Sequence, residues 1–171
     1  MRSLLLRKNL IKKIEGLEEN LMLEEIELYD NRIRHITNVE HLTNLTHLDL
    51  SFNRLKEMQN LETLVNLKKL YLSSNRIRKM EGLNTLINLD VLDVGDNRIR
   101  KIENIDKLVN LKEFHAAKNK ITVLEGLQNC TQLYLIAIQV NFIYKIEGLE
   151  TLTELTDLYM QQNQVKKIEG L

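Results

Sequence analysis

The stretch Leu89 to Asn110, LDVLDVGDNRIRKIENIDKLVN, decides the fold, because its pattern can be laid over nearly every other part of the 171-residue chain. Its marker is an asparagine that recurs every 22 residues with no insertion or deletion: Asn9, Asn31, Asn53, Asn75, Asn97, Asn119, Asn141 and Asn163. A period held that strictly marks a chain built from stacked copies of one unit.

Within the unit, Leu89, Leu92, Val94, Ile99, Ile102, Ile105 and Leu108 are apolar, and their equivalents elsewhere are almost all Leu, Ile, Val or Met. Leu92 and Val94 are two apart, so both point inward from an extended segment while Val91, Asp93 and Gly95 point outward. From Ile99 to Leu108 the apolar positions fall three apart, which suits short 3₁₀-like or helical turns better than a long α-helix. Asn97 stands where the strand ends. A side-chain amide turned inward there carries the donors and acceptor needed to satisfy the bend's backbone, and stacked copies form a ladder.

One unit of this size buries too little apolar surface to offset the entropy of ordering it, so stability has to come from stacking. The expected product is an α/β solenoid with a curved parallel β-sheet on its concave face and short 3₁₀ or helical turns on its convex face. It forms a single domain over residues 1–171, of about eight 22-residue repeats, the last incomplete at Leu171.

Composition narrows the function classes. The chain has 24 basic and 24 acidic residues, a net charge of zero and no proline. That balance gives no global reason to expect nucleic acid or an anionic membrane as partner. The apolar run Leu4-Leu5-Leu6 is cut short by Arg7 and Lys8, so it reads as a strand and not a signal peptide. No stretch is long enough to span a bilayer. The lone Cys130 sits in the register of Leu42, Leu64, Leu86, Leu108 and Leu152, which makes it a small buried apolar residue. Without a cysteine partner or flanking cysteine caps, the chain is expected to be intracellular.

The surface away from the core is where a partner is expected. The central outward positions of successive strands are Glu27, Asp49, Tyr71, Asp93, His115, Ala137 and Tyr159, flanked by Glu25, His47, Lys69, Val91, Glu113, Leu135 and Asp157. Their variety, against a monotonous inner face, is what a binding surface looks like. After each asparagine runs a basic ridge, Arg32 and Arg34, Arg54 and Lys56, Arg76 and Arg78, Arg98 and Arg100, then Lys120. Beside it lie Glu15, Glu81, Glu103, Glu125, Glu147 and Glu169, and the two rows are expected to compensate each other. In the seventh repeat Phe142 and Tyr144 replace the basic pair.

Signs of catalysis are thin. Glu27 and Asp49 fall on adjacent strands about 5 Å apart, the spacing of a retaining glycosidase pair, but an open concave sheet has no closed pocket to raise one carboxyl. Such a pair better suits a partner's Lys or Arg. His35, His41 and His47 occupy different places in the repeat and converge on no metal. No phosphate-cradling glycine loop or nucleophile–base pair is present, so neither enzyme activity nor a cofactor is expected.

The unit LxxLxLxxN followed by IxxIEGL, together with LYDNRI (Leu28 to Ile33), LDLSFNRL (Leu48 to Leu55), NRIRKIENID (Asn97 to Asp106) and KNKIT (Lys118 to Thr122), resembles the leucine-rich-repeat regulatory subunits of protein phosphatase 1, the regulatory subunit 7 family. The resemblance implies a non-enzymatic subunit of nucleus and cytoplasm that grips the Ser/Thr phosphatase catalytic subunit with its concave face. Carried over by position, the contacts are Asp49, Tyr71, Asp93 and His115. Asp49 fits directly, Tyr71 and Asp93 have the expected aromatic and acidic character, and His115 departs from an expected aromatic. The family's array is longer and capped. An uncapped last repeat here is expected to self-associate through its C-terminal end. The alternative reading is a scaffolding repeat module of a cytoskeletal or axonemal assembly, using the same face on an unrelated protein.

Overall fold

A computed structural model describes residues 1–170 and shows a parallel-sheet solenoid. Eight short parallel strands form the principal sheet in the order β1-β2-β3-β4-β5-β6-β8-β10. They are β1 (Ser3–Leu5), β2 (Glu25–Glu27), β3 (His47–Asp49), β4 (Lys69–Tyr71), β5 (Val91–Asp93), β6 (Glu113–His115), β8 (Leu135–Ala137) and β10 (Asp157–Tyr159). A second sheet pairs β7 (Val123–Leu124) with β9 (Lys145–Ile146). Each strand meets the next exactly one repeat on, as in Leu70 opposite Leu92 and Leu92 opposite Phe114. The expectation of inward Leu92 and Val94 holds, since both are fully buried in one continuous apolar column. Cys130 lies in that column with its Sγ 3.6 Å from the Ile105 carbonyl, and burial pushes its thiol up to about 11.

The asparagines form the ladder that their position suggests. Asn97 Nδ2 donates to the carbonyls of Val94 and Gly95 in its own repeat and of Leu72 in the one before, all at 3.0 Å. Its Oδ1 accepts from the Ile77 amide at 2.9 Å. Asn31, Asn53, Asn75, Asn119 and Asn141 repeat this pattern, and each is buried. Each side chain therefore ties the bend of its own strand to the preceding coil, which is how a buried polar residue stabilises the stack without leaving an unpaired group.

The convex side differs from the expected 3₁₀ or helical turns: no helix forms among the described residues. Each repeat instead makes two separate turns that share a residue, as in Leu42 N to Val39 O (2.9 Å) and Leu45 N to Leu42 O (3.0 Å). A 3₁₀-helix needs consecutive bonds of this kind. The amide that would continue it, Thr46 N, donates instead to Glu24 O of the previous repeat at 2.8 Å. The Thr43 carbonyl is likewise taken by the next repeat, through Asn66 Nδ2 at 2.9 Å. Bonding between coils thus displaces bonding along the coil, and the spacing of three survives because each turn still buries its apolar corner.

Two left-handed positions close every repeat. One directly precedes the ladder asparagine, at Lys8, Asp30, Phe52, Ser74, Asp96, Lys118, Val140 and Gln162. The other falls on Gly16, Asn38, Asn60, Gly82, Asn104, Gly126, Gly148 and Gly170. Where that second residue is asparagine, its amide reaches a carbonyl of the repeat before, as Asn60 does to Ile36 O at 2.8 Å. At Gly82, Gly126 and Gly170 the backbone itself comes close: a Cβ on Gly126 would lie 2.8 Å from Ile102 O. The site accepts only a residue that tolerates positive φ and either bonds that carbonyl or leaves it room.

Candidate functional site

The register places the seven predicted outward residues in one row across the concave sheet. Glu27 lies opposite Asp49, Asp49 opposite Tyr71, Tyr71 opposite Asp93, Asp93 opposite His115, His115 opposite Ala137, and Ala137 opposite Tyr159. Neighbours in such a row are about 4.8 Å apart. They are not equally available. Glu27 is only 6% exposed, because the Arg7 guanidinium from the first coil forks over its carboxylate. Ala137 is 7% exposed, whereas Tyr159 at the far end is 39% exposed. The accessible centre of the row is Asp49, Tyr71, Asp93 and His115, each half-buried.

Local bonding sets how these groups are presented. The carboxylates of Asp49 and Asp93 each accept the backbone amide two residues on, from Ser51 and Gly95, at 2.8 Å. Both are thereby fixed in orientation. Burial raises the Asp93 carboxyl above its ordinary range, opposed by the Gly95 amide and by His115. Burial also raises the Tyr71 phenol, helped by Glu113, Asp49 and Asp93, so it stays a hydroxyl donor at neutral pH. The Tyr71 ring leans on His47 with centroids 5.3 Å apart.

The C-terminal part of the face has its own network. Tyr134 donates its hydroxyl to Glu113, and a His115 ring nitrogen stands 3.0 Å from the other Glu113 oxygen. The Tyr134 bond is the chief reason the Glu113 carboxyl is held below its usual range. His115 is therefore braced on its own sheet. Sequence reading included His115 and missed Tyr134, whose signal was its place one residue before β8 (Leu135–Ala137), beside Glu113.

Other candidates separate on the surface. A His41 ring nitrogen lies 3.0 Å from Leu17 O, His35 is exposed, and His47 packs on Tyr71, so these three histidines do not converge. One donor atom each of Glu25, Glu27 and His47 do come within 4.8 Å of one another. With Glu27 already forked by Arg7, that trio is a neutralised corner of the face. The Glu27–Asp49 pair is unequal for the same reason. Among the described residues no ridge cation forms an ion pair with the glutamate line: Glu125, Glu147 and Glu169 pair with Lys101, Lys145 and Lys167, none of which belongs to the ridge.

This stacked, asparagine-laddered coil is the leucine-rich-repeat fold. Residues 65–107 match the family described as Leucine Rich repeats (2 copies), and residues 44–64 match Leucine Rich Repeat. Among solved structures, a leucine-rich-repeat protein of Leptospira interrogans superposes with a TM-score of 0.89 at 25% identity, over 96% of this chain and 44% of that one. This chain thus spans less than half the length of that protein. Internalin C2 of Listeria monocytogenes gives 0.73 at 26% identity, covering 92% of this chain and 80% of its own. Internalin F of the same organism gives 0.53 at 21% identity, with 98% and 69% covered, and speaks to the fold alone. No curated protein matches the chain in sequence.

Proposed function

We propose that the chain is a non-enzymatic protein-binding module that grips its partner with the concave face, and that the partner is the catalytic subunit of the Ser/Thr phosphatase protein phosphatase 1, in nucleus and cytoplasm. The observation that carries the choice of face is the line Asp49, Tyr71, Asp93, in register on β3, β4 and β5. An aromatic between two carboxylates fits a partner surface that is basic around an apolar spot. Leucine-rich-repeat domains in general serve protein binding, which supports the class of function. The choice of phosphatase rests on the sequence resemblance alone.

The test is titration of the labelled phosphatase catalytic subunit with the parent chain and its variants. Truncating a well-packed interface aromatic commonly costs about 2 kcal/mol or more, so Tyr71→Ala is expected to weaken binding at least about tenfold. Asp49→Ala and Asp93→Ala should each weaken it in a salt-sensitive way. A triple variant that stays folded and binds as tightly as the parent overturns the choice of face. Failure of the parent to bind the phosphatase overturns the choice of partner, and capture of an unrelated protein by the same row favours the scaffolding alternative.

A further inference from the structure

The basic ridge is a charged surface that the molecule itself leaves unanswered. Arg32, Arg54, Arg76, Arg98 and Lys120 stand on successive coils, each with its backbone amide bonded to the coil before at 2.8 Å. Arg34, Lys56, Arg78 and Arg100 follow two residues later. The residues between, Ile33, Leu55, Ile77 and Ile99, are fully buried, so both basic rows face solvent on the same side. Among the described residues none of these nine cations makes an ion pair, although six Lys or Arg pairs form elsewhere on the chain. Mid-ridge, Lys56, Arg76, Arg78, Lys79 and Arg98 line a groove of about 540 Å³ in which Glu57 and Glu81 are the only acids.

We propose that this ridge is a second binding surface, distinct from the concave face, and that its ligand is an acidic, extended polypeptide segment. Seven of the nine cations are arginines, whose planar fork binds carboxylates two bonds at a time where lysine acts as a point charge. Five coils about 4.8 Å apart span about 19 Å, which an extended peptide rising about 3.3 Å per residue covers in about six residues. Engaging these cations breaks no internal ion pair, so the attraction of an acidic segment is not offset by the loss of one.

A nucleic-acid strand is the competing ligand, and one observation counts against it. Single-strand sites interleave cations with aromatic stacking platforms, but the two basic rows carry no aromatic residue between Arg32 and Lys120; Phe52, 47% exposed, stands outside both rows with its ring against Tyr29 at 4.9 Å. The exposed Phe142 and Tyr144 begin only beyond the ridge.

The experiment is fluorescence anisotropy with a labelled octaglutamate peptide, an octaglutamine control and an eight-nucleotide oligothymidylate, on the full chain at low salt. Octaglutamate is expected to bind, to weaken steeply by about 0.15 M salt as screening sets in, and to lose at least about tenfold in affinity in an Arg76→Glu, Arg78→Glu, Arg98→Glu variant. The neutral Gln triple at the same positions should lose affinity too, and provides the reading if the charge reversal fails to fold by circular dichroism. Asp49→Ala with Tyr71→Ala should leave peptide binding unchanged, which separates this surface from the concave face. The proposal is overturned if octaglutamate binds no better than octaglutamine, if the folded variants bind within about twofold of the parent, or if the oligonucleotide binds more tightly than the peptide.

Discussion

Asn75 shows what a single side chain does in this stack. Its amide donates to Leu50 O and Leu72 O at 3.0 Å and to Ser73 O at 3.2 Å, and its oxygen accepts the Leu55 amide at 2.9 Å. Asn75→Ala strands these buried backbone groups, so urea denaturation should report a loss of about 1–3 kcal/mol. Asn9, exposed on the first coil with its side chain bonded only to Leu6 O and Arg7 O, should lose no more than about 0.5 kcal/mol by the same change. Asp93 acts in the opposite sense. Its folded carboxyl is raised above the ordinary value of 3.8, chiefly by burial. The folded state therefore binds the proton more tightly than the unfolded chain, and stability falls as pH rises from that ordinary value through the raised one. Asp93→Asn should raise the melting temperature at pH 7 and lose this advantage in acid; a melting temperature unchanged across that range would contradict the assignment. At neutral pH the free protein thus holds this carboxylate at a cost that a partner's cation would relieve.

At the scale of the element, the left-handed turns fix the coil. Gly126→Ala places a Cβ on a residue at φ +82° and 2.8 Å from the Ile102 carbonyl, so thermal denaturation should show a loss of about 1–3 kcal/mol. Asn60→Gly keeps the conformation and loses only the bond to Ile36 O, and should cost less. How far such elements can be read from sequence depends on whether their cause lies within one repeat. The eight strands of the principal sheet were legible because Leu92 and Val94 alternate with outward residues, and the row Asp49, Tyr71, Asp93 followed from the period, whereas the short β7–β9 pair lies where turns were expected. The convex turns were not, because a spacing of three serves a 3₁₀-helix and a pair of separate turns equally. The choice is made by bonds such as Thr46 N to Glu24 O, which run between coils. The left-handed row before each asparagine left no signal, being Lys, Asp, Phe, Ser, Asp, Lys, Val and Gln in turn. The row from Gly16 to Gly170, all glycine or asparagine, was there to be read. The shielding of Glu27 depended on where Arg7 points, and the unpaired ridge on which lysines the glutamates choose; period carries neither.

Taken whole, the molecule is an open stack whose two outer strands, β1 and β10, each pair on one side only. Beneath β10, Leu155 and Leu158 are only partly covered, and Ile168 is 82% exposed. Each coil touches only its neighbours, so amide exchange should be slowest near β4 and β5 and quicken toward both ends.

The ladder bonds also have constant offsets, 20 residues back for the accepted amide and 25 for the donated carbonyl, from Asn31 through Asn163. That makes the chain a ruler graduated in single coils, which can be shortened only by whole graduations. Excising residues 83–104 removes one complete 22-residue coil and brings two compatible surfaces together, so the product should fold, with Tyr71 now standing directly beside His115. Excising residues 83–103 leaves one residue too many between ladder asparagines, misaligns the donors and acceptors at the junction, and should split the array into two independently melting halves.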